Sequence, residues 1–321
     1  DGPTVIGTPL LAFAGATLYR YGVEGARRRA LQGAFSLYLS PAIVAKIAAN
    51  PDALKLGGER RELTLFFCDL AGFTSLSERL SPEELVAVLN DYTTRVTDVI
   101  LALDGTVDKY IGDAIMAFWN APADQPDHPA RAVEASLGAV EALSALNERL
   151  QADGLPLLSM RVGLNSGPAV VGNMGSTKRF NYTAMGDTVN EASRFEGLGK
   201  AYGTKILAAE PTATDPLVAE RFLVRRVDFL TVKGKDRPVW AYEVMARLTE
   251  ATDRQRRVKE DYEAALTHYL ARRWDEAEAL LDAILADAPD GPSATLKKRI
   301  AHFRAEPPEP DWNGVFTHTS K

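Results

Sequence analysis

The sequence predicts a mixed α+β domain with helices packed on one face of a sheet, followed by a small all-helical end. Apolar runs of strand length alternate with helical stripes between Glu62 and Ala246. The breaks between them carry Gly, Pro and Asp, the residues of turns and caps, and beyond Ala246 only helical periodicity remains. With 46% hydrophobic residues over 321 positions, the chain has the material for one medium domain with appendages, or for two domains.

Residues 1–25 open on an uncharged stretch, Gly2 to Tyr19, apolar at Val5, Ile6, Leu10, Leu11, Phe13 and Leu18, with Arg20 and Arg27-Arg28-Arg29 behind it. An apolar run of marginal spanning length with a basic flank reads as the end of a transmembrane or membrane-proximal helix; a helix packed on the protein itself fits the same residues. Residues 26–61 read as a helical linker. Leu31, Phe35, Tyr38, Leu39, Ile43 and Ile47 keep a rough helical period that restarts at Ser40-Pro41, and Asn50 to Arg61, with Pro51 and Gly57-Gly58, is a connection.

The domain proper, 62–246, starts with the apolar strand Leu63 to Asp69. Ser81-Pro82-Glu83-Glu84 signals a helix start, and Leu85, Val88, Leu89, Tyr92, Val96, Val99, Ile100 and Leu103 form its apolar stripe up to Gly105. Thr106 to Tyr110 and Ala114 to Trp119 read as strands about an Ile111-Gly112-Asp113 turn. A helix over Pro129 to Leu150, strands over Met160 to Asn165 and Ala169 to Asn173, and a helix from Asp187 to Leu198 follow. Strands near Lys205 to Ala208, Phe222 to Val227 and Trp240 to Val244 complete the domain. In 247–321, two antiparallel helices resemble a single tetratricopeptide-type repeat, which cannot bury its own face and must lean on a third helix (Ser293 to Phe303), on the domain, or on a partner.

Composition excludes several classes. A net charge of −6 with dispersed Lys and Arg offers no footprint for nucleic acid. The lone Cys68 cannot form an intramolecular disulfide, and four scattered histidines lack zinc-ligand spacing. A phosphate-loop NTPase is excluded because Gly167-Pro-Ala-Val-Val-Gly172 is followed by Asn173-Met174, where that loop needs Lys and Ser or Thr.

Two acidic residues stand where apolar strands meet solvent: Asp69, in Phe67-Cys68-Asp69-Leu70-Ala71-Gly72-Phe73-Thr74, and Asp113, in Lys109-Tyr-Ile-Gly112-Asp113. Carboxylates on adjacent strand ends suit Mg²⁺ ions that bridge phosphate oxygens, and Gly72 permits close approach of a phosphate to backbone N–H groups. A cap and a turn residue would explain the same aspartates taken singly. Taken together these stretches resemble the metal-binding signatures of class III adenylate and guanylate cyclases. The likeness continues through Arg161-Val-Gly-Leu-Asn-Ser-Gly167, Val170-Val-Gly-Asn173 and Asn181-Tyr-Thr183-Ala-Met-Gly-Asp187-Thr-Val-Asn190-Glu-Ala-Ser-Arg194 to Lys233 in Thr231-Val-Lys-Gly-Lys235, covering Ala30 to Met245.

The resemblance implies a ferredoxin-like cyclase domain in which Asp69, Asp113 and the Leu70 carbonyl hold two Mg²⁺ (or Mn²⁺) ions. It implies that Gly72, Phe73, Thr74 and Lys233 meet the phosphates, that Asn190 positions the ribose, and that Arg194 neutralises charge on the reacting phosphate. In the family, metal and base-reading residues of one site come from opposite chains, so a homodimer is implied. Lys109 and Thr183 fit adenine, which offers an N6 donor and an N1 acceptor; guanylate cyclases carry Glu and Cys at these places. The expected substrate is therefore ATP, in a mostly bacterial subgroup. The N-terminal segment resembles the last membrane helix and linker of cyclases with an extracytoplasmic sensor, implying a membrane protein with a cytoplasmic catalytic part.

Overall fold

The computed structural model describes Tyr19, residues 55–231 and residues 238–317. Two compact units divide the chain, Asp1–Lys55 and Leu56–Lys321, and every element below belongs to the second. The expected membrane-proximal helix, almost all of the linker helices and Lys233 lie outside the described residues. No described helix is long and apolar enough to cross a membrane.

The chain runs β1 (Gly57–Ala71), α1 (Phe73–Ser77), α2 (Pro82–Ala102), β2 (Thr106–Ile111), β3 (Ala114–Trp119), α3 (His128–Ala152), β4 (Ser159–Ser176), β5 (Arg179–Met185) and α4 (Asp187–Tyr202). It continues through β6 (Ile206–Ala209), α5 (Glu210–Ala213), α6 (Pro216–Arg221), β7 (Phe222–Thr231), β8 (Val239–Arg247), α7 (Asp253–Leu270), α8 (Trp274–Asp287), α9 (Gly291–Ala305) and β9 (Phe316–Thr317). The strands form one sheet in the order β2-β3-β1-β4-β6-β8-β7-β9, with β5 paired to β4.

Alternation along the strands divides the core into two layers. Phe66, Cys68 and Leu70 of β1, Ile115, Ala117 and Trp119 of β3 and Ile206 and Ala208 of β6 face the α2 and α3 layer. Leu207 and Ala209 point the other way, against Phe195 and Tyr202 of α4. Helices therefore cover both faces of the sheet, where the element order predicts one. The cause lies in the strand after Lys205, whose continuous apolar run is buried on both sides.

Local signals explain most boundaries. Ser81 and Glu84 form the capping box at the start of α2, with Pro82 in its first turn. At the other end Asp104, not Gly105, adopts the left-handed conformation (φ 58°). Gly105 is needed for space, since a Cβ there would meet the Trp119 ring at 2.7 Å.

Two expectations are corrected. β1 begins at Gly57, in the segment read as linker, because its polar first half pairs with β4 outside the main core (Gly57↔Asn173 to Glu62↔Pro168). The two strands read on either side of Gly167-Pro168 are one strand, β4, which exchanges partners there: β6 pairs Val162 to Leu164, and β5 pairs Val170 to Ser176. Pro168 sits in the gap between them. Its carbonyl accepts from Thr188 Oγ1 at 2.7 Å, so its nitrogen, on the same side of the strand, faces that gap and the β1 ladder loses no bond.

The C-terminal helices lean on both the third helix and the domain. Tyr262, Leu266 and Tyr269 of α7, Leu281 and Ile284 of α8 and Leu296 and Ile300 of α9 close a second core onto Trp240 and Met245 of β8. Buried Arg225 of β7 ties Glu243 of β8 (2.7 Å) to Asp290 (2.7 Å), the cap of α9.

Candidate active site

β1 carries an unbroken buried run, Leu63 to Phe66, and then delivers Asp69 near the hairpin turn between β2 and β3. The register Cys68↔Ile115 sets that placement, and Gly112 turns the hairpin with φ 66°. Asp69 and Asp113 stand side by side there, close enough for each carboxyl to feel the other. Burial, followed by Asp113 and then Glu196, pushes Asp69 up to about 6 against the opposing pull of Arg161. Arg161 of β4 lies across from Asp69 in register; its Nη2 is 3.3 Å from Asp69 Oδ2 and its Nε donates to Glu196 Oε1 at 2.9 Å.

Two like-charged, oxygen-only side chains in contact form a donor set for a hard divalent cation such as Mg²⁺ or Mn²⁺, so the residues fit the expected ion. Among the described residues no group of three His, Cys, Asp or Glu side chains converges. An ion held here would complete its shell from backbone carbonyls, water or substrate oxygens. Leu70 has its side chain buried in the core, leaving only its backbone for such a role.

A second cluster gathers Lys109, Thr183 and a residue the sequence did not flag, Asp108. Lys109 Nζ donates to Thr183 Oγ1 at 3.2 Å and lies 3.2 Å from Asp108 Oδ1. Thr183 Oγ1 in turn donates to Asp108 Oδ2 at 2.5 Å. The Asp108 side chain is buried, which raises its pKa against Thr183, Lys109 and the Ala184 N–H.

α4 starts after Gly186, whose φ of 148° suits glycine. It carries Asn190, exposed, and Arg194, half-buried, one turn apart. Arg194 Nη1 is buried with no hydrogen-bond partner, a cationic donor left for an anion. Glu196 projects from the same helix about 200° around from Arg194, toward Arg161 and Asp69. A single chain therefore directs Glu196 to the carboxylate pair and turns Asn190 and Arg194 away from it. Between β1 and α1, Gly72 is exposed with φ 83°, so glycine serves a left-handed turn there, and the space where a Cβ would stand is open for 4 Å. Phe73 is half-buried against the α2 and α3 core.

Asp69 and Asp113 are thus brought together, as are Lys109 with Thr183 and Asn190 with Arg194. Sequence reasoning missed Asp108, Glu196 and the Asp69–Arg161 pairing. The last was readable in principle from the antiparallel register of the two apolar strands; Asp108 was not, because its position depends on an irregularity in β2 (Val107↔Ala117, then Lys109↔Met116).

Residues 58–246 match the family model for the adenylate and guanylate cyclase catalytic domain. Adenylate cyclase 1 of Rhizobium meliloti is 38% identical over 228 residues, 70% of this chain and 34% of that protein. Adenylate cyclase of Anabaena cylindrica is 39% identical over 191 residues, 58% of this chain and 37% of that protein. This chain thus spans about a third of the length of these curated relatives. Among solved structures, the adenylyl cyclase CyaB of P. aeruginosa superposes with a TM-score of 0.56 at 33% identity, over 61% of this chain and all of that one. The guanylyl cyclase Cya2 gives 0.55 at 37% identity, over 61% and 98%. With that family model covering more than half of its length, and with the fold to match, the chain belongs to the adenylate and guanylate cyclase catalytic domain family.

Proposed function

We propose that this domain converts ATP to 3′,5′-cyclic AMP and pyrophosphate at a site completed by a second copy of the chain. Similarity alone does not choose the base, since both an adenylyl and a guanylyl cyclase superpose on the domain. The observation that carries the choice is the Lys109–Thr183 pair, 3.2 Å apart, which offers a donor for N1 and an acceptor for the N6 amino group of adenine.

In the reaction the ribose 3′ oxygen forms a bond to the α-phosphorus as the bond to pyrophosphate breaks, and charge grows on the phosphate oxygens. Arg194, with its unpartnered Nη1, meets that charge, and Asn190 one turn earlier orients the sugar. Lys233 and the segment Gly72-Phe73-Thr74 bind the terminal phosphates, and Arg161 adds a fixed guanidinium beside the carboxylates. Asp69, Asp113 and the Leu70 carbonyl would hold Mg²⁺ or Mn²⁺, two ions per site. Bound there, the ions supply a more acidic 3′-hydroxyl and screened phosphate charge. The orientation of α4 supports the shared site, because the two sets of residues do not converge within one chain. Residues 1–25, on their composition, support a membrane anchor with the catalytic part on the cytoplasmic side.

The test is to assay the chain with ATP or GTP and Mg²⁺ or Mn²⁺, following cyclic nucleotide and pyrophosphate, beside the double variant Lys109→Glu, Thr183→Cys. Wild type is expected to use ATP, and the variant to lose ATP turnover and gain some GTP cyclisation. GTP as the preferred wild-type substrate, or full ATP selectivity in the variant, would overturn the assignment of these two residues.

A further inference from the structure

In a regular strand, neighbouring side chains point to opposite faces, so Asp108 and Lys109 should diverge. They do not, because the register of β2 against β3 slips by one residue between Val107 and Lys109, leaving Asp108 as the extra residue of a β-bulge. Both side chains consequently reach Thr183 on β5. Asp108 is a buried carboxylate that accepts the Thr183 hydroxyl hydrogen at 2.5 Å and the Ala184 N–H at 3.3 Å, while its other oxygen lies 3.2 Å from Lys109 Nζ.

We infer that Asp108 sets nucleotide specificity by locking Thr183 as a hydrogen-bond acceptor. A free threonine hydroxyl can donate or accept, and so serves a 6-amino or a 6-oxo purine alike. With its only hydrogen committed to Asp108, Thr183 has nothing to offer a 6-oxo group but lone pairs. Lys109, held in the same cluster, has only hydrogens to offer a protonated N1. The cluster is therefore complementary to adenine and opposed on two adjacent atoms by guanine or hypoxanthine, so part of the selectivity comes from rejection of the wrong base. Asp108 touches no substrate atom in this account and acts as a positioning residue through Thr183. All three members sit on β2 and β5 of one chain, so the device is complete in each copy whichever copy supplies the carboxylate pair.

This inference rests on the adenine-reading role proposed for Thr183, and the test separates the two. The ratio of kcat/KM for ATP to that for inosine triphosphate is measured, because that nucleotide differs from ATP only on the edge in question and a ratio is independent of how much enzyme is correctly folded. Asp108→Ala should lower the ratio about tenfold, the scale of one buried polar group left unsatisfied. Asp108→Asn, which keeps an oxygen to accept from Thr183, should hold it near the wild-type value, and Asp108→Ala should add nothing once Thr183→Val is present. If Thr183→Val lowers the ratio while Asp108→Ala leaves it unchanged, or if Asp108→Ala lowers it equally in the Thr183→Val background, Asp108 does not work through Thr183 and the inference fails alone. A ratio unmoved by Thr183→Val removes the adenine-reading role and the inference with it.

Discussion

Thr64, wholly buried in β1, shows how single polar residues are accommodated in this sheet. Its hydroxyl lies 2.7 Å from both His128 Nδ1 and Ser166 Oγ, and Ser166 Oγ lies 2.8 Å from Thr212 Oγ1, so a chain of hydroxyls satisfies itself inside the core. Burial holds the pKa of His128 below the usual histidine value, against the opposing carboxylates of Asp215 and Asp127. The folded protein therefore binds fewer protons here than the unfolded chain, and the contribution of this site to stability, fully present above the ordinary histidine pKa, declines as pH falls through it. Denaturant titrations at pH 7.5 and pH 5.5 should show wild type losing more stability on acidification than His128→Gln; equal losses would contradict the assignment. Legibility at this scale followed the backbone. Asp69 and Asp113 could be read because an apolar run ending in an acid, and an acid after a turn glycine, are local patterns. Asp108 could not, since a bulge is decided by pairing with β3. Glu196 was hidden because helical spacing from Asn190 and Arg194 puts it on the far side of the helix.

Among the elements, α4 is held at both ends. Its first turns carry Asn190 and Arg194, and its last residue, Tyr202, donates its hydroxyl to buried Asp228 of β7. Arg299 of α9 donates to the same carboxylate at 2.5 Å and to Tyr202 Oη at 3.0 Å, with its guanidinium 3.7 Å from the centre of the Phe316 ring of β9. The backbones at this junction are in contact, for a Cβ on Gly291 would fall 2.1 Å from the Tyr202 carbonyl oxygen. Removing one partner of a buried ion pair costs about 3–5 kcal/mol. Arg299→Met should thus lower stability by about 3 kcal/mol and loosen amide protection in the last turn of α4. A loss below about 1 kcal/mol, the scale of an exposed pair, would show that the contact is not part of the folded core. The helical end could be read as helices but not as part of this domain, because Arg225, Asp228, Asp290 and Arg299 look like ordinary surface charges until the fold pairs them. The bounds of β2 and β3, though not the bulge between them, were legible to within a residue, since the hairpin turns at Gly112 and its second strand stops at Asn120. β4 was not, because Gly167-Pro168 carries a turn signature that partner exchange in the sheet makes harmless.

For the molecule as a whole, the central claim is that one active site draws on two copies of the chain, the Asp69 and Asp113 pair from one and the α4 residues from the other. Asp69→Ala and Asn190→Ala, each prepared alone, then damage both sites of a dimer and should be nearly inactive. Mixed and co-refolded, they give about half heterodimers by random pairing, each with one site carrying both lesions and one carrying neither. The measurement is cyclic AMP formation by that mixture, with heterodimer verified by differential tags. The account predicts recovery of roughly a quarter of wild-type activity, whereas activity no greater than the sum of the separate variants, with heterodimer present, would contradict it.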